Sequence, residues 1–102
     1  MAKRKLSLEA EIWKRVFELG RVADALMAGN NGRAVGLELR RGDGQRVSIE
    51  SDAERAGRFV AVYRGPYSGR EGFCAGIPER AALIMLLNRG FVAETSPSPA
   101  GR

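Results

Sequence analysis

Apolar residues in the first third of the chain recur at spacings of four and three, from Leu8 to Leu26. This spacing places them on one face of an α-helix. Ser7 can cap the start of that helix, and the Gly-Asn-Asn-Gly segment 29–32 ends it. The pattern predicts an amphipathic helix over residues 8–28.

Apolar and polar residues then alternate with period two on either side of the glycine-rich segment 42–44. Such alternation is typical of strands with one buried face. A two-residue turn would place Leu39 opposite Ser48 and mix the apolar and polar faces. A three-residue loop instead places Leu39 opposite Val47, so the sequence predicts an antiparallel hairpin with the longer loop.

Residues 59–63 are apolar on both faces, which predicts a strand in the interior of the sheet. A short fourth strand is predicted over 72–75, in which Cys74 is interpreted as a small buried residue. Pro78 fits the first position of a second helix. Because residues 81–87 are almost entirely apolar, we expect this helix to be packed on most sides.

Gly90 is expected to reverse the chain after the second helix and to fold Phe91 back onto it. The predicted fold class is α+β: an N-terminal helix, an antiparallel sheet of three or four strands, and a C-terminal helix packed on the sheet. The predicted organisation is a flexible basic arm over 1–6, a single domain over 7–93 and a disordered tail over 94–102.

The net charge of the 102-residue chain is +5, and most of it lies in the N-terminal segment. Lys3, Arg4 and Lys5 supply three of the five charges, so the charge indicates an anionic partner only through a short N-terminal arm. Fourteen arginines against three lysines indicate a GC-rich gene of bacterial or phage-like origin.

Localisation and catalysis are constrained by what the composition lacks. No apolar run follows the basic N-terminus, and the longest one, 81–87, is far shorter than the roughly 20 residues that span a bilayer. We therefore expect a cytoplasmic protein without a membrane partner. The chain has no histidine and one cysteine, which excludes the common catalytic triads and zinc sites. The sequence predicts no enzyme activity, no cofactor and no metal.

The first candidate surface is an aromatic pair on the N-terminal helix. Trp13 and Phe17 are four residues apart and lie just outside the core-facing arc, close to Arg21 and Asp24 on the helical wheel. Exposed aromatic residues at such a margin are typical of a protein-binding hot spot. The alternative is that a neighbouring loop or the tail covers both rings.

The second candidate surface is the polar face of the sheet, where the predicted register puts Arg40 opposite Arg46. One of the two orientations of the third strand adds Phe59 and Tyr63 to that face, and aromatic rings among arginines can bind nucleic acid. The alternative is a solvated face of mixed charge. The candidate nucleic-acid contacts are Lys3, Arg4, Lys5, Arg40, Arg46, Phe59, Tyr63 and Arg64.

The sequence thus favours a small non-catalytic regulator, adaptor or inhibitor that binds a protein or a nucleoprotein complex. A nucleic-acid-binding protein is the alternative. A homodimer also stays open, because an almost wholly apolar second helix can be buried within one chain or shared between two.

Overall fold

An N-terminal helix, an antiparallel five-stranded sheet and a C-terminal helix form the fold of residues 2–93. These are the residues that the computed structural model describes, with side chains from Leu8 onward. The elements are α1 (Ala2–Ala28), β1 (Glu38–Arg40), β2 (Arg46–Ser51), β3 (Phe59–Arg64), β4 (Ser68–Gly72), α2 (Glu79–Asn88) and β5 (Val92–Ala93). The sheet order is β4-β3-β2-β1-β5, with antiparallel neighbours throughout. The predicted α+β class is confirmed, with one strand more than the upper estimate.

The β1–β2 hairpin has the predicted three-residue loop. Leu39 lies opposite Val47, and the Arg41 amide donates to the Gln45 carbonyl at 2.9 Å. Gly44 occupies the left-handed region at φ 90°, where a side chain would be strained. The register keeps the apolar side chains of both strands on one face, as predicted.

Two strands differ from the prediction. β4 spans Ser68–Gly72, not 72–75, and β5 was not predicted. Both are edge strands held by main-chain pairing to β3 and β1, so neither needs an apolar alternating pattern. Cys74 lies outside β4 and is exposed, so its interpretation as a buried residue is wrong.

The helices also refine the prediction. α1 begins at Ala2, so residues 2–6, predicted to be a flexible arm, belong to the helix. Pro78 stands just before α2. Gly90 has φ 96°, the Phe91 amide donates to the Leu86 carbonyl, and the Phe91 side chain is buried. The predicted chain reversal is therefore confirmed. The predicted tail, 94–102, lies outside the described residues.

The core lies between the sheet and α2, with the C-terminal half of α1 packed on α2. Its largest fully buried side chains are Leu39, Val47, Ile49, Leu83, Leu86 and Phe91. In the described range 2–93, neither helix has an apolar stretch long enough to cross a membrane.

Candidate interaction surfaces

The N-terminal half of α1 carries large apolar side chains that remain exposed. The C-terminal half of the helix meets the core: Ala23 is fully buried, and Leu19 and Leu26 pack against the core cluster. The exposed side chains closer to the N-terminus, which are 42–69% accessible, form the α1 patch: Leu8, Ile12, Trp13, Val16 and Phe17. The stripe predicted from the periodicity therefore continues about three turns beyond the part of the helix that the core covers.

A groove between α1 and α2 adjoins the α1 patch. Its volume is about 360 Å³, and Arg15 Nε donates to Asn88 Oδ1 across it at 3.0 Å. The lining residues are Ile12, Arg15, Val16, Leu19, Ile84, Met85 and Asn88. Met85 is exposed, so the apolar surface extends from α1 onto α2. The contribution of α2 was missed from sequence because an all-round apolar helix gives no signal for which residue is left uncovered.

The four predicted protein-contact residues do not all belong to the α1 patch. Trp13 and Phe17 are 62% and 69% exposed, so no element between residues 8 and 93 covers them. Asp24 instead pairs with Arg80 of α2, with Arg80 Nε 2.7 Å from Asp24 Oδ1. This hydrogen bond lowers the pKa of Asp24. Arg21 lines a separate shallow depression with the exposed residues Glu18, Val22 and Ala25.

The register of the sheet separates the predicted nucleic-acid contacts. Ile49 pairs with Ala61, and Val47 pairs with Tyr63, so Tyr63 lies on the same face as these core residues. Phe59 lies on that face too, because side chains alternate along β3. The prediction that both aromatic residues join Arg40 and Arg46 is therefore wrong: they line the helix-covered face and pack against the core cluster.

Arginines do gather on the opposite face of the sheet. Arg40 lies opposite Arg46, and the Arg46 guanidinium contacts the Arg64 carbonyl on the next strand at 3.4 Å. Arg70 joins them from β4, where it pairs with Val62. Arg70 was missed because the predicted fourth strand began at residue 72, whereas β4 spans Ser68–Gly72. The side chains of Lys3, Arg4 and Lys5 lie outside the described part.

A polar cavity of about 460 Å³ lies at the helix-covered face near Tyr63. Glu71 Oε1 accepts from the Tyr63 hydroxyl at 2.8 Å and from Arg89 Nη1 at 3.0 Å. These two bonds lower the pKa of Glu71, whereas burial and the bond to Glu71 raise the pKa of Tyr63. The cavity lining is Arg41, Gln45, Tyr63, Tyr67, Arg70, Glu71 and Arg89. Glu71 pairs with Arg89 and Arg41 pairs with Asp43, whereas Arg70, on the edge strand, lines both this cavity and a depression on the opposite side of the sheet.

Within the described residues no group of three or more acidic or cysteine side chains is arranged to hold a metal ion.

Comparison with known protein-family models, curated proteins and solved structures finds no match to the chain. The α1 patch and the two faces of the sheet are therefore the surfaces that indicate a function.

Proposed function

We propose that the chain is a non-catalytic protein-binding module of the cytoplasm, which acts as a regulator, adaptor or inhibitor through the α1 patch. One observation carries the proposal: five large apolar side chains are left 42–69% exposed over three consecutive turns of one helix. Contiguous exposed apolar surface of this kind marks an interaction site in soluble proteins.

The size of the α1 patch supports this function. Aromatic side chains each bury about 150–250 Å² when covered, so Trp13 and Phe17 together leave about 250 Å² for a partner. Three aliphatic neighbours and Met85 of α2 enlarge that area. A partner that presents an apolar helix face can fill the groove beside α1, since helix-in-groove contacts use anchors at this spacing.

Trp13 gives a direct measurement, because it is the only tryptophan of the chain and is mostly exposed. Affinity capture from nuclease-treated lysate identifies a candidate, and titration with that purified protein should shift Trp13 emission to shorter wavelength. We expect Trp13→Ala combined with Phe17→Ala to weaken binding by at least about 30-fold, which is the effect of one hot-spot anchor worth about 2 kcal/mol, and by about 700-fold where the two anchors add.

The matched control is Tyr67→Ala. Tyr67 is as exposed as Trp13, at 62%, but it lies in the turn between β3 and β4. Binding by this variant should match the wild type. Equal retention of the partner by the α1 double variant and by Tyr67→Ala would contradict the proposal. A concentration-dependent emission shift of the chain alone, with a doubled mass in light scattering, would identify the partner as a second copy.

A further inference from the structure

Within residues 2–93 no helix covers the sheet face opposite α1 and α2, although the loop 52–58 borders one end of it, where Val60 is only 5% exposed. Alternation along the paired strands assigns its side chains, which are Glu38, Arg40, Arg46, Ser48, Glu50, Val60, Val62, Arg64, Arg70 and Val92. None of these is aromatic, and four are arginines. We call this surface the arginine face.

Three of the arginines form a row across the sheet. Arg40 and Arg46 pair directly across β1 and β2, and Arg46 continues to Arg64 on β3, one position beyond the pair Val47 and Tyr63. Neighbouring strands lie about 4.8 Å apart, so the backbones that carry these three arginines lie within about 10 Å of one another. The row therefore carries three like charges, of which Glu50 pairs with one, that of Arg64.

The arginine face has fewer carboxylates than arginines, so its net charge is positive. Glu50 Oε2 accepts from Arg64 Nη2 at 2.8 Å and from the buried Ser48 hydroxyl at 3.2 Å. Arg64 Nη1 also donates to Ser48 Oγ at 2.5 Å, so Arg64 is held in place and largely neutralised. Arg40, Arg46 and Arg70 form no ion pair within the described part, where the carboxylates left near them are Glu38 and, beside Arg70, Asp52 and Glu54.

We infer that the arginine face binds the phosphate backbone of single-stranded nucleic acid, with Arg40, Arg46 and Arg70 as the phosphate contacts. Guanidinium groups donate paired hydrogen bonds to phosphate oxygens. A flexible single strand can follow a row of arginines over a sheet, whereas a duplex is rigid and convex. Because no ring is available for stacking, recognition is independent of base sequence. This site is separate from the α1 patch.

Fluorescence anisotropy of a labelled single strand of about 12 nucleotides tests the inference. For three phosphate contacts the slope of log K against log salt is about −2, and Arg40→Ala with Arg46→Ala should make it shallower by about 1.4. At about 50 mM salt that double variant should bind at least about 10-fold more weakly. Mixed-sequence and homopolymer strands should bind alike.

The matched control removes the same charge from α1, with Lys14→Ala and Arg21→Ala, and should leave both affinity and slope nearly unchanged. Equal losses from the two double variants would overturn the inference, because only net charge would then matter. Tighter binding to a duplex or to polyglutamate would overturn it as well, as would the absence of wild-type binding at low salt. The test leaves the α1 patch intact, so its failure does not affect the proposed protein-binding function.

Discussion

Phe91→Ala should destabilise the fold more than any other single change considered, by about 3–5 kcal/mol. The Phe91 ring is 1% exposed and belongs to the core cluster between the sheet and α2. It also lies 4.6 Å from the Arg41 guanidinium carbon and 6.4 Å from the centre of the Tyr63 ring. Removing the ring therefore leaves a cavity and withdraws a cation–π contact and an aromatic contact at once.

Denaturant unfolding followed by far-ultraviolet circular dichroism measures this effect. Trp13 fluorescence is unsuitable, because the indole is already mostly exposed in the folded state. Val92→Ala is the matched control, since Val92 is the next residue and is 61% exposed. It should change the free energy of unfolding by no more than about 0.5 kcal/mol. Similar losses in both variants would show that Phe91 contributes little to the core.

Local signals allowed much of the fold to be predicted from the sequence. The position of Phe91 followed from Gly90, because a glycine after a helix reverses the chain over one or two residues. The β1–β2 register followed from the need to keep Leu39 and Val47 on one face. β4 and β5 carry no such signal. β4 and β5 form because their main chains hydrogen-bond to β3 and β1, and edge strands tolerate a polar sequence.

The orientation of β3 marks the limit of sequence prediction for the candidate sites. Residues 59–63 are apolar on both faces, so period two cannot tell which face meets the core. Only pairing with β2 assigns Tyr63 to the helix-covered face and leaves the arginines without aromatic neighbours. The close approach of α1 to α2 at Gly20 is a second feature that the sequence does not predict. A Cβ there would lie 2.7 Å from Arg80 Nη2, and a contact with α2 cannot be predicted from α1 alone.

The second large effect on stability is expected at Glu79, at the start of α2. From the sequence, Glu79 was expected only to favour the start of the helix electrostatically. One carboxylate oxygen accepts from the amides of Ala34 and Val35, at 2.5 and 2.8 Å, and the other lies 3.0 Å from Arg33 Nε. Glu79 thereby fixes the segment after α1 to the start of α2. Glu79→Gln should cost about 2–3 kcal/mol, because it removes the charge that strengthens both amide hydrogen bonds and places an NH2 donor, in place of the second carboxylate oxygen, against the Arg33 guanidinium. Glu54→Gln, on an exposed turn, is the matched control and should cost less than about 0.5 kcal/mol at pH 7.

The contribution of Glu79 should also depend on pH in a defined direction. Burial acts to raise its pKa, but the amides of Val35 and Ala34 and the Arg33 guanidinium outweigh burial and hold the pKa below its ordinary value. A carboxyl group with a lowered folded-state pKa stabilises fully above its unfolded pKa of about 4.3, and this stabilisation is lost as the pH falls through the folded-state value. The difference in unfolding free energy between wild type and Glu79→Gln should therefore be largest at neutral pH and shrink below about pH 4. A difference that stayed constant between neutral and acidic pH would mean that the charge of Glu79 does not hold the segment, and that the shape of the side chain alone does.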